Sequence, residues 1–251
     1  MSWRDRIKRE LVERHARLKP VLPRGYQAYP AIGGWTYLDV RESPMMLARA
    51  LRAYEPGRVK ALTAALRPGM TFVDVGGNKG DFSLLAAKVM GDRGRVLCVE
   101  PEAENASWIR KSATRNKYTS VEVVEVALAE RDGEDTLFLG AKSGWHTLVE
   151  DPALVVGTVT VPIRTLDSLL AERGIDHVDV VKIDVEGAED RVLAGASGAL
   201  GGTNPMTVLI DLHPKRVDTL AVAAQLQRCG FTFDREITRD TKEAVARRQP
   251  S

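Results

Sequence analysis

From residue 71 onward, short runs of valine, isoleucine and leucine alternate with stretches in which apolar positions return every three or four residues. The first pattern is that of buried strands, the second that of helices. Strands are expected at TFVDV (71–75), RVLCVE (95–100), VEVVEVAL (121–128), TLFLG (136–140) and TVTVPI (158–163). Further strands are expected at VDVVKID (178–184), TVLIDL (207–212) and FTFDRE (231–236). Helices are expected between them over 80–90, 102–116, 165–173, 188–196 and 214–229. Strands apolar on both faces and spaced by helices specify an α/β fold: a mostly parallel, twisted, Rossmann-like sheet covered on both sides.

Ahead of this region the rhythm is weaker. Residues 2–19 place Trp3, Ile7, Leu11 and Leu18 at helical spacing among basic residues, which predicts an amphipathic helix packed on the main domain or on a second copy of the chain. Residues 20–45 carry prolines and a Gly33-Gly34 pair and predict irregular chain with one strand in WTYLDVR. A helix over 57–67 ends at the Pro68-Gly69 turn. The expected organisation is an extension over 1–53, serving as lid or oligomer arm, a domain over 54–238, and a flexible tail over 239–251.

Composition narrows the class. The chain has 251 residues, 44% hydrophobic and 28% charged, with a net charge of +2, so it lacks the basic excess of a nucleic-acid binder. No apolar run approaches the roughly 18 residues of a membrane span, and the N-terminus has no apolar core of the signal-peptide kind. Cys98 and Cys229 fall in a strand and at a helix end and read as buried thiols rather than a disulfide or a metal site. A cytoplasmic protein is expected, without nucleic-acid or membrane partners, a homodimer being one use of the N-terminal arm.

The chemistry gathers where the strands end. TFVDVGGNKGDF (71–82) is a glycine-rich turn between strand and helix, in which a ligand meets bare backbone and unpaired N–H groups. The dinucleotide fingerprint G-x-G-x-x-G fails from Gly76, which would need glycine at Asn78 and Asp81, and from Gly77, which would need it at Lys79 and Phe82. What remains is Asp74, Gly76, Asn78 and Gly80, a pattern suited to a ligand carrying both an amine and a carboxylate, as S-adenosylmethionine does. Asp74 is expected near the ligand's cationic group. Glu100 ends the next strand 20 residues after Gly80, where a carboxylate accepts hydrogen bonds from two ribose hydroxyls. Ala127-Leu128, Asp184-Val185-Glu186-Gly187 and Asp211-Leu212-His213 close further strands on the same expected edge.

These residues resemble a family. VDVGGNKGDFSLLAA, CVEPEAENASWIRKS, VPIRTLDSLL and VVKIDVEGAEDRVLAG are similar to the FkbM-type S-adenosylmethionine-dependent methyltransferases, from about residue 54 to 236. The paired segments V-P-x-x-T-L-D and K-I-D-V-E-G-A-E are the specific part. The resemblance implies the class I methyltransferase fold, S-adenosylmethionine as cofactor, and methylation of a hydroxyl, often on a sugar or glycan precursor. It implies a cofactor site of Asp74, Gly76, Gly77, Asn78, Gly80, Asp81, Phe82, Glu100, Ala127, Leu128 and Asp184. The family commonly has alanine or serine at the position of Gly77 and isoleucine at that of Lys79.

Transfer of a methyl group to an alcohol needs an oxygen in line with the S–CH₃ bond and a means of losing its proton. His146, Asp184, Glu186, Asp211 and His213 are the candidates, and two readings stay open. His146 or an acid acts directly as base, or Asp184, Glu186, Asp211 and His213 hold Mg²⁺. Trp35, Tyr37 and Trp145 are candidates for stacking on sugar faces. Three rival functions are weighed, of which a non-catalytic binding module is disfavoured by the intact glycine loop. An NAD-dependent sugar oxidoreductase or epimerase is disfavoured, since none of Tyr26, Tyr29, Tyr37, Tyr54 and Tyr118 is followed by lysine four residues on. A nucleic-acid methyltransferase is disfavoured because Asp211-Leu212-His213-Pro214 lacks the Pro-Pro-aromatic of amino-group methylases and neither cysteine follows a proline.

Overall fold

The computed structural model describes residues 3–140, 145–151 and 155–249, with side chains from Glu10 onward. Its elements, in chain order, begin with α1 (Trp3–Leu18), β1 (Gln27–Ala31), β2 (Gly34–Leu38), α2 (Pro44–Ala50) and α3 (Pro56–Ala65). The alternating region follows with β3 (Thr71–Val75), α4 (Asp81–Met90), β4 (Arg95–Val99), α5 (Ala103–Asn116), β5 (Val121–Val124) and β6 (Ala127–Leu128). Next come β7 (Gly133–Gly140), β8 (Val155–Arg164), α6 (Leu166–Glu172), β9 (Val180–Ile183), α7 (Glu189–Ala194) and α8 (Ser197–Gly201). The chain closes with β10 (Met206–Asp211), α9 (Thr219–Arg228), β11 (Thr232–Phe233) and β12 (Glu243–Arg248).

Seven strands form the central sheet in the order β11-β12-β10-β9-β3-β4-β5. The run from β10 to β5 is parallel, and β12 enters antiparallel between β10 and β11. Chain order reverses at β3, with β4 and β5 to one side and β9 and β10 to the other, which places a crevice outside the carboxyl ends of β3 and β9. The expected Rossmann-like class I arrangement is therefore present. Valines and isoleucines of β3, β4, β9 and β10 are buried on both faces, where they pack beneath the flanking helices.

Several expectations need correction. The run 121–128 is two strands: Glu100 N–H donates to Val124 O at 3.0 Å, closing the ladder, and Ala127-Leu128 then pair with Ile163-Arg164 in a separate three-stranded sheet. TLFLG and TVTVPI belong to that sheet as the antiparallel pair β7–β8. The supposed tail is β12. It pairs with β10 from Met206↔Arg248 to Asp211↔Glu243, buries Ala244 and Ala246, and lays the Arg248 guanidinium 4.8 Å from the Phe231 ring centroid. The helix expected from Pro214 begins at Thr219, where Asp218 caps it through Leu220 and Ala221 N–H.

The segment ahead of residue 54 packs on the strands and helices that follow it. The β1–β2 hairpin is fastened to α5: Asn116 accepts from Trp35 N–H at 2.8 Å and donates to Trp35 O at 2.6 Å, and Tyr26 stacks on Trp108 at 4.3 Å. Tyr118 hydroxyl donates to Gly33 O at 2.8 Å. In α1, Leu11 is half-buried and His15 Nε2 meets Val40 O at 3.0 Å, whereas Leu18 is 45% exposed. The predicted stripe thus turns inward only in part; the side chains of Trp3 and Ile7 lie outside the described residues. No helix among the described residues is long and apolar enough to cross a membrane.

Candidate functional site

At the carboxyl edge of β3, β4 and β9 a cavity of about 780 Å³, part of it open to solvent, runs between the glycine loop and the β7–β8 sheet. Two glycines of the loop are required by close packing. A Cβ on Gly76, whose φ is +80°, would stand 1.9 Å from Asp184 O, and one on Gly77 would stand 2.3 Å from Cys98 Sγ. Family members with a larger residue at the second position must therefore seat this turn differently. Gly80 opens α4 at φ +81° against Ile109 and does not reach the cavity wall, so its role is to shape the loop.

One end of the cavity joins a buried carboxylate to an apolar slot. Glu100 is 4% exposed, and its carboxylate accepts Asn78 N–H at 2.6 Å and Glu102 N–H at 3.0 Å. Burial pushes its pKa up to about 7, outweighing those donors. Its Oε1 also accepts Asn105 Nδ2–H at 3.5 Å, and Oε2 keeps a lone pair for a further donor. Beside it Pro101, Val126, Ala127, Leu128 and Leu137 form an apolar slot.

The other end is dense with charge. Asp74, expected to face the ligand, is fully buried beneath the cavity floor. The parallel register sets it beside Lys182, so its carboxylate meets Lys182 Nζ at 3.3 Å and accepts Ser83 Oγ–H at 2.7 Å. Lys182 also donates to Gly76 O at 3.0 Å and lies 3.6 Å from Asp184. Asp74 acts through that lysine on the glycine loop and on Asp184, both of which line the cavity. Burial works to raise Asp184, but Lys182, then Arg58 and His213, hold it below the usual carboxylate range. Asp81 and Phe82 reach the wall, and with them come Arg49 of α2 and Tyr54, neither of which any sequence motif announced.

Asp184, Glu186 and His213 converge, each offering an atom within 4.8 Å of the others. Glu186 stands at φ +55°, a strained conformation for a residue with a side chain, and its carbonyl is held by Thr147 Oγ1–H at 2.9 Å and Arg216 Nη1–H at 2.7 Å. His213 sits between Glu186 at 3.3 Å on Nε2 and the fully buried Glu189 at 2.7 Å on Nδ1. Burial alone would lower it; the two carboxylates raise it to about 10, so it stands as an imidazolium in this arrangement. Asp211 is not in the group. The Arg58 guanidinium takes both of its oxygens in a two-pronged pair, and neither residue lines the cavity.

His146 lines the cavity from the opposite wall. Burial lowers its pKa below 6.5, so the ring is neutral near pH 7. Its Nδ1 accepts Gly140 N–H at 3.2 Å, which puts the ring proton on Nε2. Trp145 is 38% exposed and Trp35 43% exposed; Tyr37 leans on Trp108, and none of the three lines the cavity. Lys79 points away from it, donating to Tyr26 OH at 2.7 Å and Asn105 Oδ1 at 2.6 Å. That departure from the family pattern leaves the ligand side of the loop untouched.

Known proteins resemble the chain in sequence and in fold. The AMB antimetabolite synthetase AmbE of Pseudomonas aeruginosa is 27% identical over 66% of this chain, which spans only 10% of that protein. A probable cobalt-precorrin-6B C(15)-methyltransferase of Sulfurisphaera tokodaii is 25% identical over 61% of this chain and 86% of its own length. The hexuronic acid methyltransferase AglP of Haloferax volcanii is 26% identical over 70% of each chain. The crystal structure of methyltransferase FkbM from Methylobacillus flagellatus superposes with a TM-score of 0.54 at 16% identity, over 93% of this chain and 57% of that one. Residues 74–233, from the end of β3 to β11 and so including the glycine loop, Glu100 and the Asp184–Glu186 turn, match the methyltransferase FkbM domain. The chain belongs to the FkbM methyltransferase family.

Proposed function

We propose that the protein is an S-adenosylmethionine-dependent O-methyltransferase acting on a hydroxyl of a sugar or glycan precursor. The observation that carries the reading is one cavity with a ribose-and-ring end at Glu100 and, along the same walls, a neutral histidine facing the Asp184–Glu186 turn. The hexuronic acid methyltransferase among the relatives supports a sugar as acceptor.

In this reading the acceptor oxygen attacks the sulfonium methyl carbon, the C–S bond breaks, and its electron pair stays on sulfur. Positioning supplies much of the acceleration. The hydroxyl proton leaves to Nδ1 of His146, which must exchange the Gly140 N–H for the acceptor O–H. Burial suits the ring to this, because it is unprotonated before the reaction. Asp184, held ionised by Lys182, faces the cationic sulfonium.

The donor set of Asp184, Glu186 and His213 also fits a divalent cation, once the cation displaces the Nε2 proton of the His213 imidazolium. Its two carboxylates and one imidazole converge, and Glu189 holds His213 by Nδ1 so that Nε2 faces the acids. A cation there would act as a Lewis acid that lowers the pKa of the acceptor hydroxyl. Asp211 would take no part.

The test is a screen of mono- and oligosaccharides, uronic acids included, for S-adenosylhomocysteine release, with the product examined by NMR, in the presence and absence of EDTA. A new methyl ether is expected. Methyl groups found only on carbon or nitrogen acceptors would overturn the reading. Loss of turnover in EDTA assigns the cation; full turnover leaves proton removal to His146.

A further inference from the structure

Lys79 belongs to the glycine loop, yet its side chain does not line the cavity and is buried behind it, 1% exposed. Its ammonium is held by two neutral oxygens, Tyr26 OH at 2.7 Å and Asn105 Oδ1 at 2.6 Å. Taking an ammonium out of water is costly, and packing alone would be served here by an apolar side chain. The charge has an effect on its neighbour. An ammonium only donates, so it draws the amide oxygen of Asn105 to itself and turns Nδ2 the other way. Nδ2–H then donates to Glu100 Oε1 at 3.5 Å.

The members of this relay come from separate stretches of chain. Tyr26 precedes β1 and stacks on Trp108 of α5 at 4.3 Å. Asn105 is 2% exposed in the first turn of α5, where Glu102 accepts its backbone N–H at 2.6 Å. Other charges face the relay. Burial lowers the Lys79 pKa, Glu42, Glu100 and Glu102 act to raise it, and Arg49 acts to lower it. The charge of Glu102 also bears on Glu100, and the neutral His146 faces Lys79, Glu42 and Glu102 from its own wall. Of the two cations beside this group, Lys79 is the one hydrogen-bonded to a partner of Glu100.

We propose that Lys79 is a positioning residue for the cofactor's ribose: through Asn105 it orients the Glu100 carboxylate to accept the ribose hydroxyls, which ties the ribose subsite to Tyr26 in the N-terminal segment. This rests on the cofactor reading above and deepens it. Without the ammonium, the Asn105 amide is free to turn its oxygen toward Glu100. Two acceptors then face each other, which disfavours the ionised carboxylate.

The test is calorimetric titration of the full chain with 5′-methylthioadenosine between about pH 6 and about pH 9. This ligand carries the ribose hydroxyls and has no group that titrates in that interval. Wild-type affinity is expected to follow the ionisation of Glu100, with a midpoint of about 7. In Lys79→Met the midpoint should move to about 8, as for loss of a neighbouring cation and the hydrogen bond it orients. Affinity then falls roughly fivefold near pH 7 and recovers nearly in full near pH 9. Lys79→Arg, which keeps a charged donor for Asn105, should hold the wild-type profile. An equal loss at every pH in folded Lys79→Met is the mark of a packing role and overturns the proposal, as does an unshifted profile. If Lys79→Met does not fold, Asn105→Asp decides. Its carboxylate still takes the lysine but has no donor for Glu100, so an unchanged midpoint there overturns the proposal. A wild type that binds no adenosyl ligand, or binds it with no pH dependence, would instead refute the cofactor reading and the Glu100 assignment on which the proposal stands.

Discussion

Raising the pH should tighten the binding of S-adenosylhomocysteine, and Glu100 is the reason. Its carboxyl is pushed up to about 7 by burial in the ligand-free protein. Ribose hydroxyls donate hydrogen bonds, so they favour the ionised form over the protonated one. With a midpoint of about 7, roughly a tenth of the protein carries the anion near pH 6 and roughly nine tenths near pH 8. Affinity should therefore rise close to tenfold across that interval, and binding near pH 7 should release protons. Calorimetry in buffers of different ionisation enthalpy reads both quantities. For folding without ligand the sign is reversed. A carboxyl raised in the folded state from 4.5 to about 7 contributes stability below 4.5 that is lost as the pH rises through about 7. The ligand-induced rise in Tm should accordingly be larger at the alkaline end. Glu100→Gln should abolish the pH dependence, and Glu100→Ala should weaken binding by roughly 1.5–3 kcal/mol, the range for a hydrogen bond to a charged group. A flat affinity profile in the wild type, or unchanged affinity in a folded Glu100→Ala protein, would refute the assignment.

Two further outcomes separate structure from chemistry. Asp211→Asn leaves the buried Arg58 without its two-pronged partner, with only Glu55 at 3.2 Å and Glu243 at 3.9 Å, and should cost about 3 kcal/mol in urea unfolding while turnover holds. Full stability with lost turnover would return Asp211 to the site. His146→Ala should keep S-adenosylhomocysteine affinity and lose about 10²–10⁴ in kcat. Because burial lowers this histidine and its neutral form is the active one, wild-type kcat should stay level down through pH 6.5 and fall only below it. A rate that already halves at or above pH 6.5 would point to another base.

What could be read from the sequence follows from where the signals lie. Strand cores of valine and isoleucine between helices announced β3, β4, β9 and β10, because burial on both faces leaves no other reading. Glu100 and the Asp184–Glu186 turn were legible as acids at strand ends. The pairing of Asp74 with Lys182 was not, since it depends on the register between β3 and β9, strands more than a hundred residues apart. Asp211 looked equivalent to Asp184; its fate was decided by Arg58, on a helix far upstream. β12 escaped notice because its inward residues are Ala244, Ala246 and an arginine, Arg248, and its outward ones Glu243, Val245 and Arg247, a faint alternation that has meaning only once β10 and β11 flank it. Arg49 and Tyr54 had no motif at all. Their place on the cavity wall follows from the fold of residues 26–54 against α4 and α5, which no local pattern encodes.

The most direct test of the account is a crystal structure of the protein with S-adenosylhomocysteine. The ribose hydroxyls are expected on Glu100, the adenine in the slot between Pro101 and Leu128, and the sulfur beside Gly76 and Asp184. A ligand running in the opposite direction, or density outside this cavity while the cavity stays empty at saturating ligand, would contradict it.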